Sequence, residues 1–234
     1  MISSPSKFKL VERGFKDTIV LVPGWATDHR IFSTLELSYN YLLPLLVRPF
    51  RFSEDLLEFL NKESIDKVSF FGWSSGGFLA ADFAALNPQK VDALILVSIR
   101  RKFPLPGLKM VERYLEKNKK AYLYKFYLEC FSKTEKEELA WFKNNLLGIY
   151  LEENEMESLL DGLDYLAQAS IVPESLKSIR KIKIVHGLKD KIAPPKEALE
   201  IKEALEADFV SLFDAGHLPF LNQGFSKKFL CKNT

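Results

Sequence analysis

The dominant pattern along the chain is a series of short, nearly uninterrupted apolar runs separated by amphipathic ones. Thr18-Ile19-Val20-Leu21-Val22, Val68 to Phe71, Val91 to Val97, Ile182 to Val185 and Asp208 to Phe213 have strand length and are rich in β-branched or aromatic residues. Apolar runs without alternation belong to strands covered on both faces, as in parallel sheets. Residues 7 to 14 predict a short strand or hairpin arm. Tyr39 to Val47 predicts a strand that ends near Pro44, because proline cannot donate to a ladder. Between these runs the pattern is helical. Asp28 to Phe32 begins a short helix, and Ser53 is an N-cap for a helix through Leu60, with Leu56, Leu57 and Leu60 on one face. A small-residue helix over Leu79 to Leu86 is stopped by Asn87-Pro88. A helix from Pro195 to Glu206 carries proline at its first position, and Phe220 to Leu230 predicts a closing helix. Strands alternating with helices predict an α/β fold with a mostly parallel, doubly wound sheet.

One interval breaks the alternation. The 84 residues between Val97 and Ile182 exceed what a single crossover helix needs. Helical patterns cover Gly107 to Lys119, Ala121 to Phe131, Thr134 to Leu146 and Leu151 to Gln168, and Thr134 with Glu137 has the spacing of a capping box. The expected organisation is a core from residues 1–98 and 176–234, with a helical lid at 99–175 over the carboxyl ends of the strands. The lid is charge-segregated. Arg100 to Leu146 holds twelve Lys and Arg against six Glu, a net of +6, whereas Leu151 to Asp164 holds six acidic residues and no basic ones. Either these are solvated faces that balance each other, or the basic part is a docking surface for an acidic partner.

Composition narrows the class. The chain has 234 residues, 47% of them hydrophobic, enough for one globular domain with a sizeable core. A net charge of +2 gives no footprint for nucleic acid, and no apolar run has the length of a membrane span. The first residues lack the apolar stretch of a signal peptide. Cys130 and Cys231 stand far apart without metal-ligand spacing, which fits free thiols in a reducing compartment. A cytoplasmic monomer without metal or cofactor is expected.

The chemistry enters at Gly72-Trp73-Ser74-Ser75-Gly76, a Gly-x-Ser-x-Gly turn between an apolar extended run and a helical one. A serine at such an apex is exposed only if small residues flank it where strand and helix converge. Serine also needs a base, and the base needs an acid to orient it. Asp190 follows the strand 182–185 and His217 follows the strand 208–213, so Ser74, Asp190 and His217 fall in the order expected for an α/β sheet. Each alone is bland: a loop aspartate is commonly a turn former. Asp214 is the rival acid, three residues before His217. His186 reads as structural, and His29 falls in the loop region after the first long strand. An oxyanion needs two N–H donors. Ser75 supplies one, and Trp25, after Pro23-Gly24, is the candidate for the other; its ring reads as a core or rim aromatic. Trp73, Tyr122 and Phe126, with Tyr124 and Tyr127, are candidate walls of an acyl slot, or packing within the lid.

These motifs resemble the α/β-hydrolase family. Pro23-Gly24-Trp25, Gly72-Trp73-Ser74-Ser75-Gly76-Gly77, His186 to Pro194 and Gly216-His217-Leu218-Pro219-Phe220 correspond in turn to its oxyanion, nucleophile, acid and histidine motifs. Within it, they look closest to the pimeloyl-acyl-carrier-protein methyl ester esterases of biotin synthesis. That resemblance implies an α/β-hydrolase fold and a serine carboxylesterase acting on a small or carrier-bound ester, with acyl carrier protein docking on the basic lid. Pro23 stands where the family usually has His, and the segment before Ile19 is short for the family's first strands. Carbon–carbon hydrolases, perhydrolases and a lyase-type synthase share the same frame, and a non-catalytic binding module on this fold is the third alternative.

Overall fold

The computed structural model describes residues 6–222 and 225. Its strands are β1 (Phe8–Val11), β2 (Thr18–Val22), β3 (Asn40–Pro44), β4 (Val68–Trp73), β5 (Val91–Val97), β6 (Ile182–Gly187) and β7 (Asp208–Leu212). They form one sheet in the order β1-β3-β2-β4-β5-β6-β7. β1 is antiparallel to β3, and every other neighbouring pair is parallel. Central position explains the apolar runs. All six residues of β4 are buried, and Ile19, Val20, Leu21 and Val22 of β2 are fully enclosed.

The helices are α1 (Phe52–Lys62), α2 (Ser75–Leu86), α3 (Leu105–Glu129), α4 (Lys136–Phe142), α5 (Gly148–Glu153), α6 (Met156–Gln168) and α7 (Pro195–Leu205). Four of them, α3 to α6, lie between β5 and β6 in the chain. α3 is broken at Asn118, whose φ of −163° and ψ of 90° leave the helical region. The Asn118 side chain accepts from Ala121 N–H and caps the second half.

Several expectations need correction. Ser53 lies inside α1. A 3-10 turn, Pro49–Arg51, runs straight into that helix, so the N-cap is Arg51 and no side chain caps it. The Thr134–Glu137 capping box does not form, since α4 starts after Glu135 and Thr134 Oγ1 donates to Asp214 O instead. No break separates 146 from 151. Lys143–Leu147 forms a π-helical turn that carries α4 directly into α5, and the chain leaves the helix only at Asn154. The elbow helix begins at Ser75, four residues before the small-residue run. Of the closing helix at Phe220 to Leu230, Pro219–Leu221 makes one 3-10 turn, and most of the rest lies outside the described residues, as does Cys231.

Candidate active site

Ser74 sits between β4 and α2 with φ 54° and ψ −120°. A side chain at positive φ costs about 1–3 kcal/mol unless its surroundings hold it. Here the Ser74 N–H extends the β4–β5 ladder by donating to Val97 O at 2.9 Å. The flanking glycines make the turn possible. A Cβ at Gly72 would lie 2.6 Å from Gly76 O, and one at Gly76 would lie 2.2 Å from Val22 O.

Asp190 follows β6. One oxygen, Oδ1, accepts from the N–H groups of Ile192 (2.8 Å) and Ala193 (2.9 Å). The other, Oδ2, lies 2.8 Å from His217 Nδ1. His186 Nε2 is 3.4 Å from that same oxygen and bonds Ala193 O at 2.8 Å. Burial alone would push the Asp190 carboxyl up, but the charge of His217 and hydrogen bonds from His186 and His217 outweigh it. They hold it well below the ordinary aspartate range.

His217 follows β7 and exposes 1% of its surface. Its Nε2 lies 2.8 Å from Ser74 Oγ. A carboxylate only accepts, so Nδ1 carries the proton and donates to Asp190. That leaves Nε2 free to accept the Ser74 hydroxyl proton. The imidazole is also fixed through its backbone: His217 N–H donates to Cys130 O (2.7 Å), and His217 O accepts the Trp73 indole N–H (2.7 Å). Three residues later Phe220 packs among Phe32, Phe71 and Trp73 at ring distances of 5.3–5.8 Å. Burying such a ring contributes about 1.5–3 kcal/mol, and here it anchors the loop that carries the imidazole.

The structure therefore brings together three side chains that are distant in sequence. Asp214, the rival acid, is not the partner of His217 Nδ1; its carbonyl accepts from Ser132 Oγ and Thr134 Oγ1.

The N–H of Ser75 opens α2 and has no helical acceptor. The loop bearing Trp25 is held from above by the inserted helices. Ala26, at φ 60°, offers its carbonyl to Tyr127 Oη–H and to Asn154 Nδ2 (3.0 Å). The Trp25 indole N–H donates to Leu159 O at 2.9 Å, and its ring fills the place where a Cβ on Gly162 would sit.

The expected substrate walls fare differently. Trp73 is 2% exposed and is not a wall open to solvent: its indole braces His217 and packs against Gly24, where a Cβ would meet the ring at 2.8 Å. Phe126 meets Trp25 edge-on at 5.1 Å, and Tyr122 stacks between Phe126 and Tyr114. Burial pushes the Tyr122 hydroxyl up to about 12, and the ring borders a groove of about 410 Å³ with Tyr114, Lys117, Asn118, Ala121 and Lys125. His29 lies in a 3-10 turn, His29–Phe32, that follows the loop bearing Trp25. Burial lowers its pKa against the pull of Asp28, and its Nδ1 has no partner among the described residues.

Sequence reasoning missed Tyr127 and Asn154 as supports, and it missed Glu135. This carboxylate is 2% exposed, and its Oε2 accepts from Ser132 N–H (2.7 Å) and Gly216 N–H (2.8 Å). Among the described residues no group of His, Cys, Asp and Glu is arranged to hold a metal, and no helix is long and apolar enough to cross a membrane.

The fold and this arrangement define an α/β hydrolase, and the comparison with known proteins agrees. Residues 47–223 match the α/β-hydrolase fold family, and the chain belongs to it. It is similar to the pimeloyl-[acyl-carrier protein] methyl ester esterase of Citrobacter koseri, at 25% identity over 87% of this chain and 88% of the relative. Among solved structures it resembles a thermophilic esterase from Thermogutta terrifontis, with a TM-score of 0.79 at 18% identity, covering 96% of this chain and 90% of that one. It also resembles a carboxylesterase of the thaumarchaeon Nitrososphaera gargenis, with a TM-score of 0.76 at 19% identity, covering 98% and 95%. At such identities the structural likeness speaks for the fold.

Proposed function

We propose that this protein is a serine carboxylesterase that works through an acyl-enzyme. The observation that carries the reading is the continuous chain from Ser74 Oγ through both nitrogens of His217 to Asp190, with both bonds at 2.8 Å. His217 Nε2 takes the hydroxyl proton as Ser74 Oγ attacks the ester carbonyl. The N–H groups of Trp25 and Ser75 receive the oxyanion. Asp190 stabilises the imidazolium, which then passes its proton to the leaving alcohol. A water, deprotonated by the same imidazole, releases the acid and frees Ser74.

For the substrate, we propose the methyl ester of an acyl group on acyl carrier protein, with the pimeloyl chain first. The name of the Citrobacter koseri relative and the excess of Lys and Arg in Arg100 to Leu146 support this. Some of that charge is internally paired: Lys120 meets Glu152 at 2.7 Å, Arg100 meets Glu197 at 2.5 Å and Lys125 lies 3.6 Å from Glu129, while Lys119 Nζ donates to the carbonyl of Asn154. Lys117 and Lys125 border the groove beside Tyr122. The test compares methyl esters on carrier protein with p-nitrophenyl esters across chain length. Higher kcat/KM for the carrier-bound ester, falling with added salt, supports the assignment. Equal efficiency for free and carrier-bound esters removes the carrier and leaves a small-ester hydrolase.

A further inference from the structure

Glu135 lies outside the three-residue chain, yet it touches the peptide that delivers His217. It is the N-cap residue of α4, but its side chain does not cap that helix. It folds back so that Oε2 accepts from Ser132 N–H and, across 81 positions of sequence, from Gly216 N–H. Gly216 is crowded there: a Cβ would lie 2.5 Å from Cys130 O, 2.9 Å from Ser132 N and 3.0 Å from Glu135 Oε2. The next N–H, that of His217, donates to Cys130 O at 2.7 Å. Two consecutive amides leading into the imidazole are thus held by one short segment, Cys130 to Glu135, at the junction of α3 and α4.

The second Glu135 oxygen, Oε1, is buried and has no partner among the described residues. A buried, half-satisfied carboxylate is costly to the fold. An amide could offer the same acceptor without burying a charge. Charge-assisted bonds from N–H to carboxylate are shorter and stronger than neutral ones, so the carboxylate grips the Gly216 amide more firmly. The imidazole must meet Ser74 within narrow limits of distance and angle, which gives that grip a use.

We propose that Glu135 is a positioning residue for His217: with the Cys130 carbonyl it clamps the 216–217 backbone and ties the inserted helices to the geometry of proton transfer. The proposal rests on the reading of Ser74 and His217 as nucleophile and base. It acts on the chemical step and not on substrate affinity.

The test follows the rate at which a fluorophosphonate labels Ser74, together with kcat and KM for a short p-nitrophenyl ester and the Tm, in wild type, Glu135→Ala, Glu135→Gln and Thr134→Val. In Glu135→Ala, labelling and kcat are expected to fall on the order of 10–100-fold, with KM unchanged within about twofold. Glu135→Gln keeps an acceptor oxygen and restores most of the rate while raising or preserving Tm, since it removes a buried charge. Thr134→Val removes another bond to the same loop, at Asp214 O, where Ser132 Oγ still donates, and should label as wild type does. Wild-type labelling in Glu135→Ala overturns the proposal, as does equal slowing in Thr134→Val. If Glu135→Ala does not fold, labelling of Glu135→Gln no faster than about a hundredth of wild type also overturns it, because an acceptor is then not what matters. No labelling of the wild type overturns the nucleophile assignment itself, and this proposal with it.

Discussion

The indole N–H of Trp73 donates to the carbonyl oxygen of His217 at 2.7 Å, joining the residue before Ser74 to one 144 positions away. The same ring lies against Gly24, at the start of the loop expected to hold the oxyanion. One side chain therefore sets the spacing between two loops and the elbow. Trp73→Phe keeps an aromatic body but leaves a buried carbonyl unpaired, which costs about 1–3 kcal/mol. The expected result is a lower denaturant midpoint and a kcat reduced more than KM is changed. Chemical denaturation and steady-state kinetics on the same preparation check it.

Tyr127 and Asn154 both donate to Ala26 O, in the left-handed turn that follows Trp25. Tyr127→Phe removes one donor and leaves the other. A loss of about 0.5–1.5 kcal/mol in stability is expected, with a further loss in kcat from a loosened oxyanion loop. Asn154→Ala should act in the same direction. Because the two share one acceptor, the double variant is expected to lose more than the sum of the singles, which a double-mutant cycle in kcat measures.

Asp190→Asn keeps the shape of the side chain but replaces an acceptor with a group that also donates. An amide N–H facing His217 Nδ1 moves the imidazole proton to Nε2, where it blocks acceptance from Ser74. A fall in kcat on the order of 10³–10⁴-fold is expected, by analogy with the same exchange in serine proteases. A rate within about tenfold of wild type would mean that tautomer control does not operate here.

The same carboxylate governs a pH effect on stability. Its folded pKa lies below its unfolded value, so the unfolded chain binds more protons in the acid range. Its contribution is present above the unfolded value of about 3.9 and is lost as pH falls below it, through the folded pKa. Glu135 is shifted the other way by burial, so its contribution is present below its unfolded value and lost as pH rises through the folded one. Melting curves between about pH 3 and about pH 8 should show Asp190→Asn destabilised most at neutral pH and converging on wild type in acid. Glu135→Gln should gain on wild type as pH rises over the same range.

The sheet was legible because its inner strands are buried on both faces and so are written as apolar runs: β2, β4 and β5 match their runs to within two residues. Ser74, Asp190 and His217 were legible for a related reason, since each follows a strand whose end could be read. Helix ends in the insertion were not, because their partners are remote. The hydroxyl of Thr134 is taken by Asp214 O, 80 positions on, and Asn154 ends α5 with its side chain on Ala26 O, 128 positions back. Local spacing cannot register such competitors. Glu135 gave no local signal either, being one acid in a stretch rich in Lys and Glu. For Trp73 the sequence leaves a wall and packing both open; side chains alternate along a strand, and its ring turns toward His217 and Phe220, so the structure shows packing.

The central claim is that Ser74 becomes covalently acylated during turnover. Rapid acid quench of the enzyme with a p-nitrophenyl ester, followed by intact mass and peptide mapping, measures it directly. The predicted result is an added acyl mass on the peptide containing Ser74, formed with a burst of nitrophenol, and neither adduct nor turnover in Ser74→Ala. Ester hydrolysis at the wild-type rate by Ser74→Ala, or an adduct mapped to another residue, would contradict the account.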